Sequence, residues 1–168
     1  MQDYNDYHGP FSYYEGIITI QIQEGVTNIG DFAFSCLFEL TDIQISQSVI
    51  DMGDDIFADC GNLKNVEVNE ANEYYSSIDG VLFNKDKDTI IYYPEGKEDI
   101  QEYTIPNTVK VIGNKAFFWC ESLTGVTIPE SVTTIEPFAF YGSGITNIEI
   151  PNSVTFIGDY AFSYTNIT

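Results

Sequence analysis

The sequence predicts a mainly β solenoid, one elongated domain wound from short, similar coils. Three observations predict it. An apolar-x-x-apolar-x-apolar element recurs as Ile17/Ile20/Ile22, Leu40/Ile43/Ile45, Leu63/Val66/Val68, Ile100/Tyr103/Ile105, Leu123/Val126/Ile128 and Ile145/Ile148/Ile150. A second series follows most of these elements: Val26/Ile29/Phe34, Val49/Met52/Phe57, Val109/Ile112/Phe117, Val132/Ile135/Phe140 and Val154/Ile157/Phe162. The step is regular, 23 residues from Phe34 to Phe57 and from Phe117 to Phe140, then 22 from Phe140 to Phe162.

An L-x-x-L-x-L element at a period of about 20–29 residues is the pattern of a leucine-rich-repeat solenoid, in which no coil buries its apolar side alone and stacked neighbours make the core. The expected fold is therefore a right-handed leucine-rich-repeat solenoid with a short parallel sheet on its concave face and one inserted β-hairpin. Residues 1–168 read as a single domain: 1–16 an irregular, degenerate first repeat, 17–63 repeats, 64–100 a repeat carrying the insertion, and 101–168 repeats cut short at the C-terminus.

Residues 1–16 are rich in Tyr4, Tyr7, His8, Phe11, Tyr13 and Tyr14. A lid over the apolar edge of the first repeat accounts for them better than a ligand-stacking patch. In Ile20-Gln21-Ile22 and Ile43-Gln44-Ile45 the alternation has period two, so Ile faces the core and Gln faces out. Stacked coils bring equivalent residues about 4.8 Å apart. The outward positions should then form two rows, Thr19, Asp42, Asn65, Glu102, Gly125, Asn147 and Gln21, Gln44, Glu67, Thr104, Thr127, Glu149, with Gln23 beside them. Six such strands make a face on the order of 25 Å wide, the expected binding surface.

The unit spanning 64–100 is 37 residues long. Within it, Val81 to Phe83 and Thr89 to Tyr93 flank a polar Asn84 to Asp88, the pattern of a hairpin. Tyr75, Asn84, Lys85, Asp86, Lys87, Asp88 and Tyr92 are its candidate binding residues, since insertions into solenoids often sit at a binding face. Asn84, Asp86, Asp88 and Glu95 also match calcium-loop positions, yet Thr89 stands where that loop needs Gly and both flanks read as strands. The hairpin turn is the reading kept, and no metal or cofactor is expected. Asp51, Asp54, Asp55 and Asp59 fall where other repeats carry turn residues and read as a solvated acidic edge.

In the last stretch Pro106, Pro129 and Pro151 each follow the last apolar residue of a strand, where a missing N–H ends the ladder. Cys36, Cys60 and Cys120 are odd in number and widely spaced, so they read as buried fillers rather than as a disulfide or zinc set. The clearest copies of the unit, Ile105-Pro106-Asn107-Thr108-Val109-Lys110-Val111-Ile112-Gly113-Asn114-Lys115-Ala116-Phe117 and Ile150-Pro151-Asn152-Ser153-Val154-Thr155-Phe156-Ile157-Gly158-Asp159-Tyr160-Ala161-Phe162, resemble the BspA-like leucine-rich repeats. The resemblance covers roughly residues 11–168, including the I-D-G-V-L-F insertion. It implies a surface protein of a bacterium or protist, hence an extracellular or cell-surface location and an adhesin-like role.

Composition narrows the partners. With 26 acids against 6 lysines, no arginine and a formal charge of −20, the chain lacks the cations that displace counterions from phosphate. Nucleic acid and anionic membranes are excluded as expected partners, and no apolar run approaches the ~18 residues of a membrane span. The N-terminus has neither the basic nor the apolar region of a signal peptide, and the chain stops inside the next strand, so a segment of a longer array is expected. His8 is the sole histidine, and no nucleophile-and-base motif accompanies it, which argues against an enzyme. The leading reading is a protein-recognition module with an unidentified protein ligand. A carbohydrate-binding module using Tyr74, Tyr75, Tyr92 and Tyr93, and a spacer that self-associates end to end, are the alternatives.

Overall fold

The computed structural model describes residues 9–168; Tyr4, Tyr7 and His8 lie outside them. Among the described residues the regular structure is all strand, a parallel-stacked solenoid of about six turns. Each coil carries two short strands. The first comes from the apolar-x-x-apolar-x-apolar element: β1 (Thr19–Gln21), β3 (Asp42–Ile45), β5 (Asn65–Val68), β9 (Glu102–Thr104) and β11 (Gly125–Thr127). The second comes from the Val–Ile pair: β2 (Asn28–Ile29), β4 (Asp51–Met52), β10 (Val111–Ile112), β12 (Thr134–Ile135) and β13 (Phe156–Ile157).

Within each half of the chain the expected register is the observed one. Thr19 pairs with Asp42 and Asp42 with Asn65, while Gln21 pairs with Gln44 and Gln44 with Glu67. In the other half Glu102 pairs with Gly125 and Gly125 with Asn147. The alternation explains the pairing: Ile43 and Ile45 are sealed in the core while Gln44 between them is exposed, and a slip of one residue would reverse every side chain. Threonine adds to the stacking, because the hydroxyls of Thr41, Thr124 and Thr146 donate to carbonyls of Ile18, Gln101 and Thr124 in the coil before. The prolines act as expected, each carbonyl accepting the N–H of the Val three residues on to close a turn.

Between the second strand of one coil and the first strand of the next runs a turn holding the repeat Phe: residues 31–36, 54–59, 114–119, 137–142 and 159–164. Most of these turns carry two residues in the left-handed region, as at Asp55 and Asp59 (φ 52 and 58) or Lys115 and Trp119 (φ 56 and 52). That backbone aims alternate N–H groups along the stacking axis. Phe32, Phe34 and Cys36 donate to carbonyls of Asp54, Ile56 and Ala58, and Lys115, Phe117 and Trp119 to those of Pro137, Ala139 and Tyr141. Where other turns place a side chain at the second left-handed position, the fourth has Gly142 (φ +69), because the Trp119 ring lies 2.7 Å from where a Cβ would be.

Inside the turns the aromatic rings form a spine. Phe34 and Phe57 are 6.3 Å apart, Phe117 and Phe140 4.9 Å, and Phe140 and Phe162 5.2 Å. Phe11 extends it toward the N-terminus, stacked 6.0 Å from Phe34, as a lid residue should be. Cys36, Cys60 and Cys120 are free and buried. Cys60 donates from Sγ to the carbonyl of Phe34 at 3.0 Å, and burial pushes its thiol up to about 12.

The insertion is larger than the expected hairpin. β7 (Val81–Asn84) and β8 (Thr89–Tyr92) are antiparallel around the predicted turn, but β6 (Tyr75–Ile78) also pairs with β7. β8 then runs parallel to β10, Thr89 beside Val111 and Ile90 beside Ile112. It therefore serves as the second strand of the long coil. That coil reaches β9 without a Phe-bearing turn of its own, and Tyr92 and Tyr93 occupy the gap in the spine. Tyr92 lies 5.1 Å from Phe57 and Tyr93 lies 5.1 Å from Phe117.

Candidate functional site

Two concave features of the surface bear on function, a groove on the strand face and a cleft on the turn side. The strand face carries the two predicted rows in the predicted order. Thr19, Gln21, Gln23, Gln44, Glu67, Glu102, Thr104, Thr127, Asn147 and Glu149 are exposed, and Asp42 and Asn65 are half-buried. Neighbours in a row hold one another: Asn65 Nδ2 donates to Asp42 Oδ1 at 3.4 Å and Gln44 Nε2 to Glu67 Oε2 at 3.3 Å.

The face is not the continuous six-strand sheet the period implies. β5 ends the first half, because its free edge is taken by the insertion: Val66 N–H donates to the Gly80 carbonyl at 3.0 Å and Val68 N–H to Ser77 Oγ at 3.0 Å. Gly80 (φ +77) makes the approach possible, since a Cβ there would lie 2.7 Å from Asn65 Oδ1. The Glu67-to-Thr104 step of the ladder is thus interrupted, and the second half stands alone as β9, β11 and the Asn147 bridge. There the face hollows into an open groove of about 620 Å³. Glu102, Thr104, Thr127, Asn147 and Glu149 line it together with Glu130. The groove is polar, rich in hydroxyl and amide groups, and has three carboxylates and no cation among its lining residues.

The hairpin residues divide between turn chemistry and packing. Asn84 staples the turn: its Oδ1 accepts from the N–H groups of Asp88 and Thr89, and its Nδ2 donates to Asp88 Oδ1 at 2.6 Å. That amide, with Lys110 beside it at 3.3 Å, holds the Asp88 carboxyl below its usual range. Lys87 takes the left-handed position (φ 57). Lys85 folds onto the carbonyls of Asn72 and Glu70, leaving Asp86 exposed at the tip. The calcium geometry is not assembled, and among the described residues no three His, Cys, Asp or Glu side chains converge on a metal position.

The tyrosines depart from expectation. Neighbours on a strand should face opposite ways, leaving one of each pair for a ligand. Instead Tyr93 is 2 % exposed and Tyr92 packs against the core, with both hydroxyls buried. The cause is the missing turn: two rings are needed to carry the spine from Phe57 to Phe117. Tyr75 is half-buried, its hydroxyl accepting from Met52 N–H at 3.1 Å. Tyr92 thus faces the turn side rather than the strand face, and of the four tyrosines offered for sugar stacking only Tyr74 is largely exposed.

The cleft lies between turns 54–59 and 114–119, where the long coil supplies no turn. It encloses about 500 Å³ over an apolar floor of Phe57, Leu82, Ile91 and Tyr92. Asp54, Asp55, Asp59 and Glu95 stand around it, with Lys115 as the cation. Lys115 reaches across to Asp55 at 2.6 Å and lies 5.6 Å over the Phe118 ring. Burial, with Asp59 and Glu121 nearby, pushes the Glu95 carboxyl up to about 7. The acidic edge read from the sequence is one wall of this cleft. Its shape is not legible in the sequence, because a longer unit signals added residues and not a lost piece of the repeat.

Comparison with known proteins agrees with the fold. The model of the BspA-type leucine-rich repeat region matches residues 8–103 and 92–168, in six copies. Among solved structures the chain is similar to a leucine-rich repeat protein from Eubacterium ventriosum, 34 % identical over 84 % of this chain and 38 % of that one, TM-score 0.76. It is similar to the pneumococcal vaccine antigen PcpA, 35 % identical over 77 % of this chain and 32 % of that one, TM-score 0.71. A leucine-rich cell surface protein from Faecalibacterium prausnitzii is 28 % identical over 89 % of this chain and 48 % of that one, TM-score 0.53. The chain thus spans about a third of the length of the first two. No curated protein matches.

Proposed function

Because the chain belongs to the BspA-type leucine-rich repeat family, we propose that it is a non-catalytic protein-recognition module of a secreted or cell-surface protein, adhesin-like in role. The observation that carries this is the strand-face groove, where five residues from three successive coils, Glu102, Thr104, Thr127, Asn147 and Glu149, converge on one polar hollow. Backbone pairing fixes Glu102, Thr104, Thr127 and Asn147, so most of the surface is presented at little ordering cost, which favours affinity. Its carboxylates select a basic or amide-rich protein surface and steer it at long range. The structures it resembles include a cell surface protein and a vaccine antigen, which supports the location.

The test is binding of the purified chain to arrayed extracellular-matrix and host-surface proteins, beside a variant carrying Glu102→Lys, Asn147→Lys and Glu149→Lys. All three positions are exposed, so stability should change little. A basic partner held by the native chain, released by salt and lost by the variant is the expected result. Equal retention by the variant would sink the assignment of the groove.

A further inference from the structure

The cleft on the turn side has a property that ordinary pockets lack: its two walls are unfinished hydrogen-bonding edges of the same ladder. In the turn before it, Phe32, Phe34 and Cys36 each donate an N–H to the next turn. The equivalent N–H groups of turn 54–59 belong to Asp55, Phe57 and Asp59, and among the described residues none of the three has a hydrogen-bond partner. On the opposite wall the carbonyls of Asn114, Ala116 and Phe118 occupy the positions that would accept from a preceding turn. Among the described residues only that of Ala116 is taken by a backbone donor, Tyr93 N–H at 2.8 Å, while that of Phe118 takes a long 3.8 Å contact from Cys120 Sγ. One wall offers donors and the other acceptors, separated by a single missing coil.

We propose that this cleft is a docking slot for a peptide segment of a partner protein that takes the turn conformation of its neighbours, one bearing a basic residue close to an aromatic or aliphatic one. The segment completes the solenoid by supplying the absent turn. Its carbonyls accept from Asp55, Phe57 and Asp59, and its N–H groups donate to Asn114 and Phe118, the backbone pairing of strand addition to an open edge. The apolar side chain lies on the floor of Phe57, Leu82, Ile91 and Tyr92. Charge fixes the rest of the choice. Asp55 is already paired with Lys115, whereas among the described residues Asp54, Asp59 and Glu95 line the cleft without a cation of their own, so a Lys or Arg is favoured and an acidic segment repelled. The site is separate from the strand-face groove, and failure of either leaves the other standing.

A suitable probe is already written in the sequence. The capped heptapeptide Gly-Asn-Lys-Ala-Phe-Phe-Trp, copied from residues 113–119, has the backbone habit of this turn, an aromatic residue and a lysine. Titrated into the isotope-labelled chain, it should shift the amide signals of Asp55, Phe57 and Asp59. The analogue with Glu in place of Lys should bind at least about tenfold more weakly, as loss of a cation from an acidic site implies. Asp59→Lys, an exposed position, should weaken the native peptide similarly while leaving the circular dichroism and melting temperature of the chain in place. No shift at millimolar peptide, shifts confined to the Glu102 to Glu149 groove, or equal binding of the Glu analogue would each overturn the proposal.

Discussion

Asn72 has no counterpart in the regular repeats, yet it ties the insertion to the solenoid. The residue is completely buried. Its Nδ2 donates to the carbonyls of Ser46 and Val49, both at 2.9 Å, and its Oδ1 accepts from the N–H groups of Tyr74 and Tyr75, both at 2.8 Å. Asn72→Ala removes all four bonds. The Val49 carbonyl then loses the one partner it has among the described residues, in a sealed site, a penalty of about 1–3 kcal/mol. Ser46 keeps a long bond of 3.5 Å from Val49 N–H, and the two tyrosine N–H groups lie closer to water, so each of these three losses is worth about 0.5–1.5 kcal/mol. The expected cost is about 5 kcal/mol, a large share of the total stability of a domain this size. Urea unfolding followed by far-ultraviolet circular dichroism reads it as a lower midpoint at unchanged slope. Hydrogen exchange should localise the loosening to the β6 amides. Asn72→Asp keeps the acceptor but sets a carboxylate against two carbonyls, and should be no less damaging. A loss below about 1 kcal/mol for Asn72→Ala would show that the insertion is held by β6–β7 pairing and not by this amide.

Two further outcomes follow from the core and the cleft. Phe117 is completely buried between Tyr93 and Phe140, and Phe117→Ala should cost about 3–5 kcal/mol. An unchanged thermal midpoint would mean that the spine does not bear on stability. Glu95 has its carboxyl raised from 4.5 to about 7 by burial, Asp59 and Glu121, and it faces Asp54, Asp55 and Lys115 across the same cleft. The folded state therefore binds its proton more tightly than the unfolded one. Its contribution is fully present below about 4.5 and is lost as pH rises through about 7. Glu95→Gln should stabilise the chain relative to the native one at pH above 7, with the advantage closing as pH falls toward 4.5. Parallel pH profiles of the two melting temperatures would refute the burial argument.

What the sequence reveals and what it hides have one physical origin. A solenoid coil contacts chiefly its neighbours, so a period read from Phe34 and Phe57 or from Phe117 and Phe140 fixes strand position, register and facing at once. The pairing of Thr19 with Asp42 and of Glu102 with Gly125 follows from counting alone. Counting fails only where the period does. Between Phe57 and Phe117 nothing local says whether the extra residues are added outside a complete coil or replace part of it. The structure has replacement: β8 stands in for a repeat strand, Tyr92 and Tyr93 for a repeat Phe, and nothing for the turn. A signal was present, since Thr89 and Ile90 of the long unit precede Val111 and Ile112 by the same 22 residues that separate Phe140 from Phe162. It was masked because Thr-Ile-Ile-Tyr-Tyr also reads as half of a hairpin, and it is that as well. One strand serving both patterns interrupts the strand face at Gly80 and opens the cleft at Asp55. The departure from repetition therefore creates both surfaces that a uniform array would lack: a strand face divided so that its second half stands as a separate groove, and an open hydrogen-bonding edge on the turn side.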